Sequence, residues 1–234
     1  MEFRCQPSGT RRSSEPFDEQ LRVRPLLPAG IHPAGAASRL ARPRAAPERL
    51  TYAGHFAAAL AIRAKEPRAP GWALLAGVGF LDVLFGIFVM LGIEKVTMTP
   101  HVGHGFTLDF IDWSHSLAMS LVWAVLFSIP FWRRGSAVAL AVAFAVFSHF
   151  LLDVPMHPPD MALWPHSAVH LGFGLWNRLP TGWWWVELGV IAVLCAYYVA
   201  RARTAKTFGG RAIWACAVIL ALHLFNSPIF SPAK

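Results

Sequence analysis

Charge is scarce in this chain. Asp, Glu, Lys and Arg make up 15% of the 234 residues and hydrophobic residues 55%, whereas a soluble domain carries about 25% charged residues. So few charges exclude an ordinary water-soluble domain and point to a membrane protein. Cysteine is scarce too. Cys5, Cys195 and Cys216 make neither a disulfide framework nor a CxxC metal clasp, so the two inside apolar segments read as packing residues. No internal repeat is evident, which argues against transporters built from inverted halves. The first 50 residues lack a continuous apolar core and so do not read as a signal peptide.

Those 50 residues hold nine of the 21 Lys and Arg, five of the 13 acidic residues and seven prolines. Such a segment cannot bury enough apolar surface to fold alone and reads as a disordered basic tail. A basic arm for anionic lipid or nucleic acid is the sharper alternative. Leu50 followed by TYAGHFAAAL also resembles a translation start, so the tail reads equally as an over-extended gene start. Because the tail supplies much of the net charge of +8, no nucleic-acid partner is expected.

Residues 51–234 read as one membrane-embedded, all-α helical bundle. Crossing a bilayer takes roughly 20 apolar residues. Four segments reach or approach that length: 71–93, 116–132, 136–154 and 183–200. A fifth, 211–225, is shorter, and 51–64 predicts a short N-terminal helix. The expectation is five spans plus that helix. Arg63, Lys65, Arg68, Arg133, Arg134, Arg201, Arg203, Lys206 and Arg211 alternate with outer segments carrying only Lys95, Arg178 and Lys234. The positive-inside rule therefore turns loops 94–115 and 155–182 outward from the inner membrane. Trp164, Trp176, Trp183, Trp184 and Trp185 cluster at the outer ends, where an interfacial aromatic belt is expected. Trp176, within GFGLWN, is also placed to line a pocket.

Ionisable groups inside such helices are costly, and each is a functional hypothesis. Asp82 lies about 16 Å along the first full span. His55 lies in the short N-terminal helix, His115 begins the second span, and His149 and Asp153 share one face of the third at a spacing of four. Three imidazoles and two carboxylates suit zinc, manganese or iron, and coordination would offset the desolvation of buried carboxylates. Taken singly, a histidine can bond a carbonyl and an aspartate can pair with a neighbour. Five such residues from four segments favour a shared site. His115 and Asp82 differ in nominal depth by about 10 Å, which calls for a tilt or a local break. His101, His104, His166 and His170 read as loop residues, Glu187 as reaching the headgroups, and His223 as a donor to the cluster or to a carbonyl. Asp109 and Asp112 lie on the approach to His115, and Asp112 is placed to orient it.

The order GH (54–55), LD (81–82), SHS (114–116), SHFLLD (148–153) and MHPPDMALWP (156–165) resembles the bacterial membrane-bound, predicted metal-dependent hydrolase family, which includes a LexA-regulated inner-membrane member. GFGLWN (172–177) is similar to an element in one branch of it. The resemblance covers residues 51–200 and implies a multi-helix membrane protein with a metal centre on His55, Asp82, His115, His149 and Asp153. Two positions depart from the pattern. LD stands where family members often carry Pro-Asp-x-Asp, and Pro158 stands where a basic residue commonly follows the histidine.

The reading is a membrane hydrolase using a divalent metal ion, zinc foremost, on a phosphoester or ester of a lipid-like substrate. Asp153 or Asp160 would act as base and His157 as the acid that protonates the leaving group. Ser116 lacks the base and orienter that a serine nucleophile needs. The rival reading is a proton-coupled or metal-ion transporter using the same groups as a relay. A third is a packing protein whose polar cluster only fixes the helices.

Overall fold

The computed structural model describes residues 52–98, 106–179, 181–205 and 209–227. The tail 1–50, His101, His104 and Lys206 lie outside them. Alanine fills α1 (Ala53–Lys65), and Arg63 and Lys65 in its last turn complement the helix dipole. Pro70 then leads into α2 (Gly71–Val78), which gives way at Gly79 to α3 (Phe80–Met90). The two meet at a bend of 48°. The predicted 71–93 segment is therefore a broken helix, and the break puts Asp82 in the first turn of α3, where the helix dipole favours a carboxylate.

After α3, β1 (Lys95–Met98) and β2 (Phe106–Phe110) form an antiparallel pair with Val96 opposite Leu108 and Thr97 opposite Thr107. The four-residue α4 (Asp112–His115) follows, then α5 (Leu117–Ser128). Ser116 caps α5 by accepting a hydrogen bond from the Met119 N–H. Pro130, which lacks an N–H, lies at the start of a 3-10 turn over Ile129–Arg134. The longest helices are α6 (Ser136–Met156) and α8 (Gly182–Ala205), with the short α7 (Leu175–Arg178) between them. Helix α9 (Gly209–Phe225) comes last.

Among the described residues, two helices, 136–156 and 182–204, are long and apolar enough to cross a membrane, and the bent α2–α3 pair makes a third if counted as one span. The expected second and fifth spans are shorter. Proline at 130 ends α5 after 12 α-helical residues, and α9 has 17.

Helices α1 and α6 organise the packing. One core cluster joins Ala59, Leu74 and Val142, a second joins Ala57, Ile191 and Ile219, and a third joins Leu81, Ala124 and Phe150. A Cβ on Gly77 would stand 3.2 Å from Ala145 Cβ. Small residues thus bring α2 and α6 together, as they do in membrane helix pairs. Leu140, Val193 and Trp214 are among many large apolar side chains left exposed on the bundle exterior.

The end of α6 has its own closure. Pro155 lies inside the last turn of α6, Pro158 and Pro159 follow its end at Met156, and carbonyls there are left to be satisfied. The GFGLWN turn supplies the donors: Phe173 N–H donates to Val154 O at 2.9 Å and Gly174 N–H to His157 O at 2.6 Å. Gly172 makes this approach possible. Its φ is +140°, and a Cβ there would fall 2.1 Å from Pro158 O. A short antiparallel pair, β3 (Met161–Ala162) and β4 (His170–Leu171), leads into this turn.

Candidate metal centre

On α6, the spacing of four sets His149 and Asp153 on one face, with Nε2 and Oδ2 3.0 Å apart. Asp82 reaches the same point from the break between α2 and α3, and His115 reaches it from the end of α4. Asp82 Oδ1 lies 3.4 Å from His149 Nε2 and 3.6 Å from His115 Nε2. His115 Nε2 lies 3.8 Å from Asp153 Oδ2 and 3.4 Å from His149 Nε2. Adjacent ligands bound at 2.0–2.2 Å with tetrahedral or octahedral angles stand roughly 2.8–3.6 Å apart. Four of the five separations, at 3.0–3.6 Å, fall in that range, and the fifth, at 3.8 Å, lies just outside it.

The proton positions fit as well. His149 Nδ1 is 2.6 Å from Val78 O, a pure acceptor at the end of α2, so Nδ1 carries the hydrogen and Nε2 is left with its lone pair. The helix break therefore supplies both a carboxylate and the carbonyl that orients a histidine. His115 Nδ1 lies 2.7 Å from Ser114 Oγ. Ser114 Oγ in turn lies 2.8 and 2.9 Å from the two Glu94 carboxylate oxygens, and Ser114 N–H donates to Glu94 Oε1 at 2.7 Å. Burial pushes the Glu94 carboxyl above its ordinary pKa, while the Ser114 donors stabilise its charged form.

His55 meets the other oxygen of Asp153, with Nε2 to Oδ1 at 3.2 Å, and its ring lies 4.2 Å from that of His149. His55 Nδ1 and Asp82 Oδ2 are buried without a hydrogen-bond partner among the described residues, and His55 Nε2 has the Asp153 oxygen beside it but outside hydrogen-bond geometry, a state that is costly unless another group satisfies these atoms. The groups His55–His149–Asp153 and Asp82–His115–His149 are each close enough to hold a metal ion. They share His149, whose other nitrogen is committed to Val78, so the two trios cannot each hold an ion with a full set of ligands.

His157 and Asp160 lie just beyond α6. His157 Nδ1 is 3.2 Å from Asp160 Oδ1, and its ring packs 4.6 Å from Trp176. Burial works against protonation of His157, but the Asp160 and Asp153 carboxylates together outweigh it and hold the pKa above the usual histidine value. Asp82, His115 and His157 line a cavity of about 130 Å³ whose other walls are Tyr52, Phe85, Leu108, Ile111 and Trp176. On the far side of Trp176, a cavity of about 90 Å³ is lined by His55, Asp153 and Glu187 among others. Five of the seven expected site residues line these cavities, whereas His149 and Asp160 do not. Asp160 pairs with His157 through its Oδ1.

Several neighbouring expectations need correction. Glu187 does not reach the headgroups. It is buried and accepts a hydrogen bond from Gly54 N–H at 3.2 Å, satisfying the start of α1 beside His55. For His223 the backbone-carbonyl alternative holds, with Nε2 3.2 Å from Trp184 O and its ring stacked on Trp184. Asp112 does not orient His115 but accepts from His166 N–H at 2.7 Å. Trp183 and Trp184 are buried, whereas Trp164 and Trp185 are exposed as an interfacial belt requires. His166 and His170 are exposed, as loop residues should be. Asp109 contacts Thr97 and Thr107 on the strand pair.

Glu94 and Ser114 escaped the sequence reading. The available signal was Glu94 itself, one of few acidic residues beyond position 50, in the apolar context GIEKV. Searches of family models, curated proteins and solved structures found no match for this chain.

Proposed function

We propose that the protein is a multi-pass membrane hydrolase with one catalytic divalent cation, zinc foremost, held by Asp82, His115, His149 and Asp153. The observation that carries this reading is the approach of the His115 and His149 Nε2 atoms, 3.4 Å apart, to Asp82 Oδ1 at 3.4–3.6 Å and to Asp153 Oδ2 at 3.0–3.8 Å, with His149 oriented by Val78 O. When bound, such an ion polarises the scissile group and brings the pKa of water to about 7. The Asp153–His55 pair is placed to accept the proton that the attacking water loses. His157, kept protonated with the help of Asp160, donates to the leaving oxygen as its bond breaks. Trp176 and Tyr52 form the cavity wall beside these groups. An ester or phosphoester of a lipid-like molecule suits a site lined this heavily with apolar residues.

The site belongs to the outer leaflet in this reading. Ser136, two residues after Arg134, and Asp153 lie toward opposite ends of α6, roughly 26 Å apart at 1.5 Å per residue, and the positive-inside rule turns the Arg134 end toward the cytoplasm. Helix α9 and α5 with its 3-10 extension would complete five crossings. The resemblance of GH, LD, SHS and SHFLLD to the membrane-bound hydrolase family supports the same assignment.

The test is elemental analysis of the detergent-purified chain, with turnover of phospholipid vesicles and of a p-nitrophenyl ester. One ion per chain is expected, with both ion and turnover lost in Asp82→Ala. Unchanged hydrolysis by a folded, metal-free Asp82→Ala protein sinks the mechanism. Proton or metal flux in liposomes without hydrolysis would instead establish the transporter reading.

A further inference from the structure

The four ligands are oriented by different means. His149 is aimed by a backbone carbonyl. His115 depends on side chains, and those side chains form a closed buried chain: Glu94 is 2% exposed, Ser114 0% and His115 4%. Ser114 Oγ has a single hydrogen. Four acceptors surround it: both Glu94 oxygens at 2.8–2.9 Å, His115 Nδ1 at 2.7 Å and Ile111 O at 3.3 Å. An ionised carboxylate that already accepts the Ser114 N–H is the strongest acceptor among them, so the hydroxyl hydrogen goes to Glu94. Oγ then meets His115 as an acceptor, and Nδ1 must carry the hydrogen of that bond.

We propose that Glu94, acting through Ser114, is the positioning residue that holds His115 in its Nδ1-protonated form and aims the Nε2 lone pair at the cation site. This deepens the metal-centre reading and rests on it. Glu94 stands between α3 and β1, and Ser114 follows β2 within α4. The same contact therefore closes the base of the β1–β2 pair, so a displacement of these strands is transmitted to one ligand. A carboxylate behind a metal-bound histidine raises its basicity as well as fixing its orientation. Here a hydroxyl stands between the two.

The test uses the full chain in detergent with Glu94→Ala, Glu94→Gln, Ser114→Ala and the double Glu94→Ala/Ser114→Ala variant. Zinc affinity is read by competition with a chromophoric chelator. The His115 tautomer is read from ring ¹⁵N shifts in zinc-free protein. Wild type should show Nδ1–H. Ser114→Ala and Glu94→Ala should mix the tautomers and weaken zinc about 10- to 100-fold. The double variant should be no weaker than the weaker single, because both substitutions cut one chain. Glu94→Gln keeps an acceptor, so it should retain the tautomer and lose less than tenfold. If Glu94→Ala fails to fold, Ser114→Ala and Glu94→Gln carry the comparison.

An Nε2–H tautomer in wild type overturns the proposal, as does unchanged tautomer and zinc affinity in folded Ser114→Ala. A drop in melting temperature alone, with tautomer and affinity kept, assigns Glu94 to folding and overturns it too. If wild type binds no zinc yet Ser114→Ala still shifts the tautomer, the metal reading fails and the relay stands.

Discussion

Replacing Gly172 with alanine tests the link between the turn after β4 and the chemistry. The new Cβ would lie 2.1 Å from Pro158 O, 2.6 Å from Pro158 C and 2.7 Å from His157 O. All three are backbone atoms that no rotamer change can move. Reaching even 3.4 Å from Pro158 O requires the turn to retreat by 1.3 Å, the difference between 3.4 and 2.1 Å. The hydrogen bonds from Phe173 and Gly174 to the end of α6, at 2.9 and 2.6 Å, would then break. Their net loss costs about 1–3 kcal/mol together. Holding alanine at φ +140° adds about 1–3 kcal/mol. A loss near 3 kcal/mol corresponds to roughly 6–12 °C in melting temperature for a domain of this size. Trp176 would leave His157 with the turn, while the four proposed ligands, on α3, α4 and α6, stay in place. The expected result is therefore stoichiometric zinc with turnover reduced at least tenfold. Gly86→Ala is the control, since a Cβ there meets nothing within 4 Å. It should be neutral or stabilising by up to about 1 kcal/mol. Wild-type melting and turnover in Gly172→Ala would refute the reasoning.

Two further predictions concern the flanking carboxylates. Asp160→Asn should lower the pKa of His157, because the carboxylate helps to raise it. The pair's contribution is fully present below the unfolded histidine pKa of about 6.5 and is lost as pH rises through the raised folded value. The variant should therefore lose stability most at pH 6 and little at pH 9, and the basic limb of its pH–rate profile should move to lower pH. A limb that stays in place separates His157 from the proton transfer. Glu187→Ala leaves Gly54 N–H without its buried acceptor and should cost about 1–3 kcal/mol, with weaker turnover through His55. Glu187→Gln, which keeps an acceptor, should recover most of the melting temperature. Equal losses in the two variants would remove the hydrogen bond as the cause.

The meeting of His55, Asp82, His115, His149 and Asp153 was legible because each is an ionisable residue in an apolar segment, where lipid gives it no partner. The spacing of four between His149 and Asp153 also defined a shared face before any packing was known. The second layer was not legible. Glu94 and Ser114 lie 20 positions apart and meet only when β1 and β2 pair. Glu187 finds Gly54 across 133 residues, which no local pattern encodes. Asp160, equally plausible as a base from sequence, turns toward His157 once α6 ends. Of the five expected spans, two stand as single long helices and a third as a bent pair, because hydropathy is blind to backbone continuity. Pro130 and Gly79 scarcely lower a window average, yet one ends α5 and the other marks the bend between α2 and α3.

Composition and periodicity by themselves determined that this chain forms apolar helices and that a few imidazoles and carboxylates are stranded within them. Both follow from transfer free energies that depend on residue type and short spacing alone. Tertiary structure decided which nitrogen of each histidine faces inward, which oxygen of Asp153 serves which partner, and that Val78 has a carbonyl to offer. Those are matters of direction, set within a few tenths of an ångström by how helix ends pack, and direction is the one property a linear sequence does not carry.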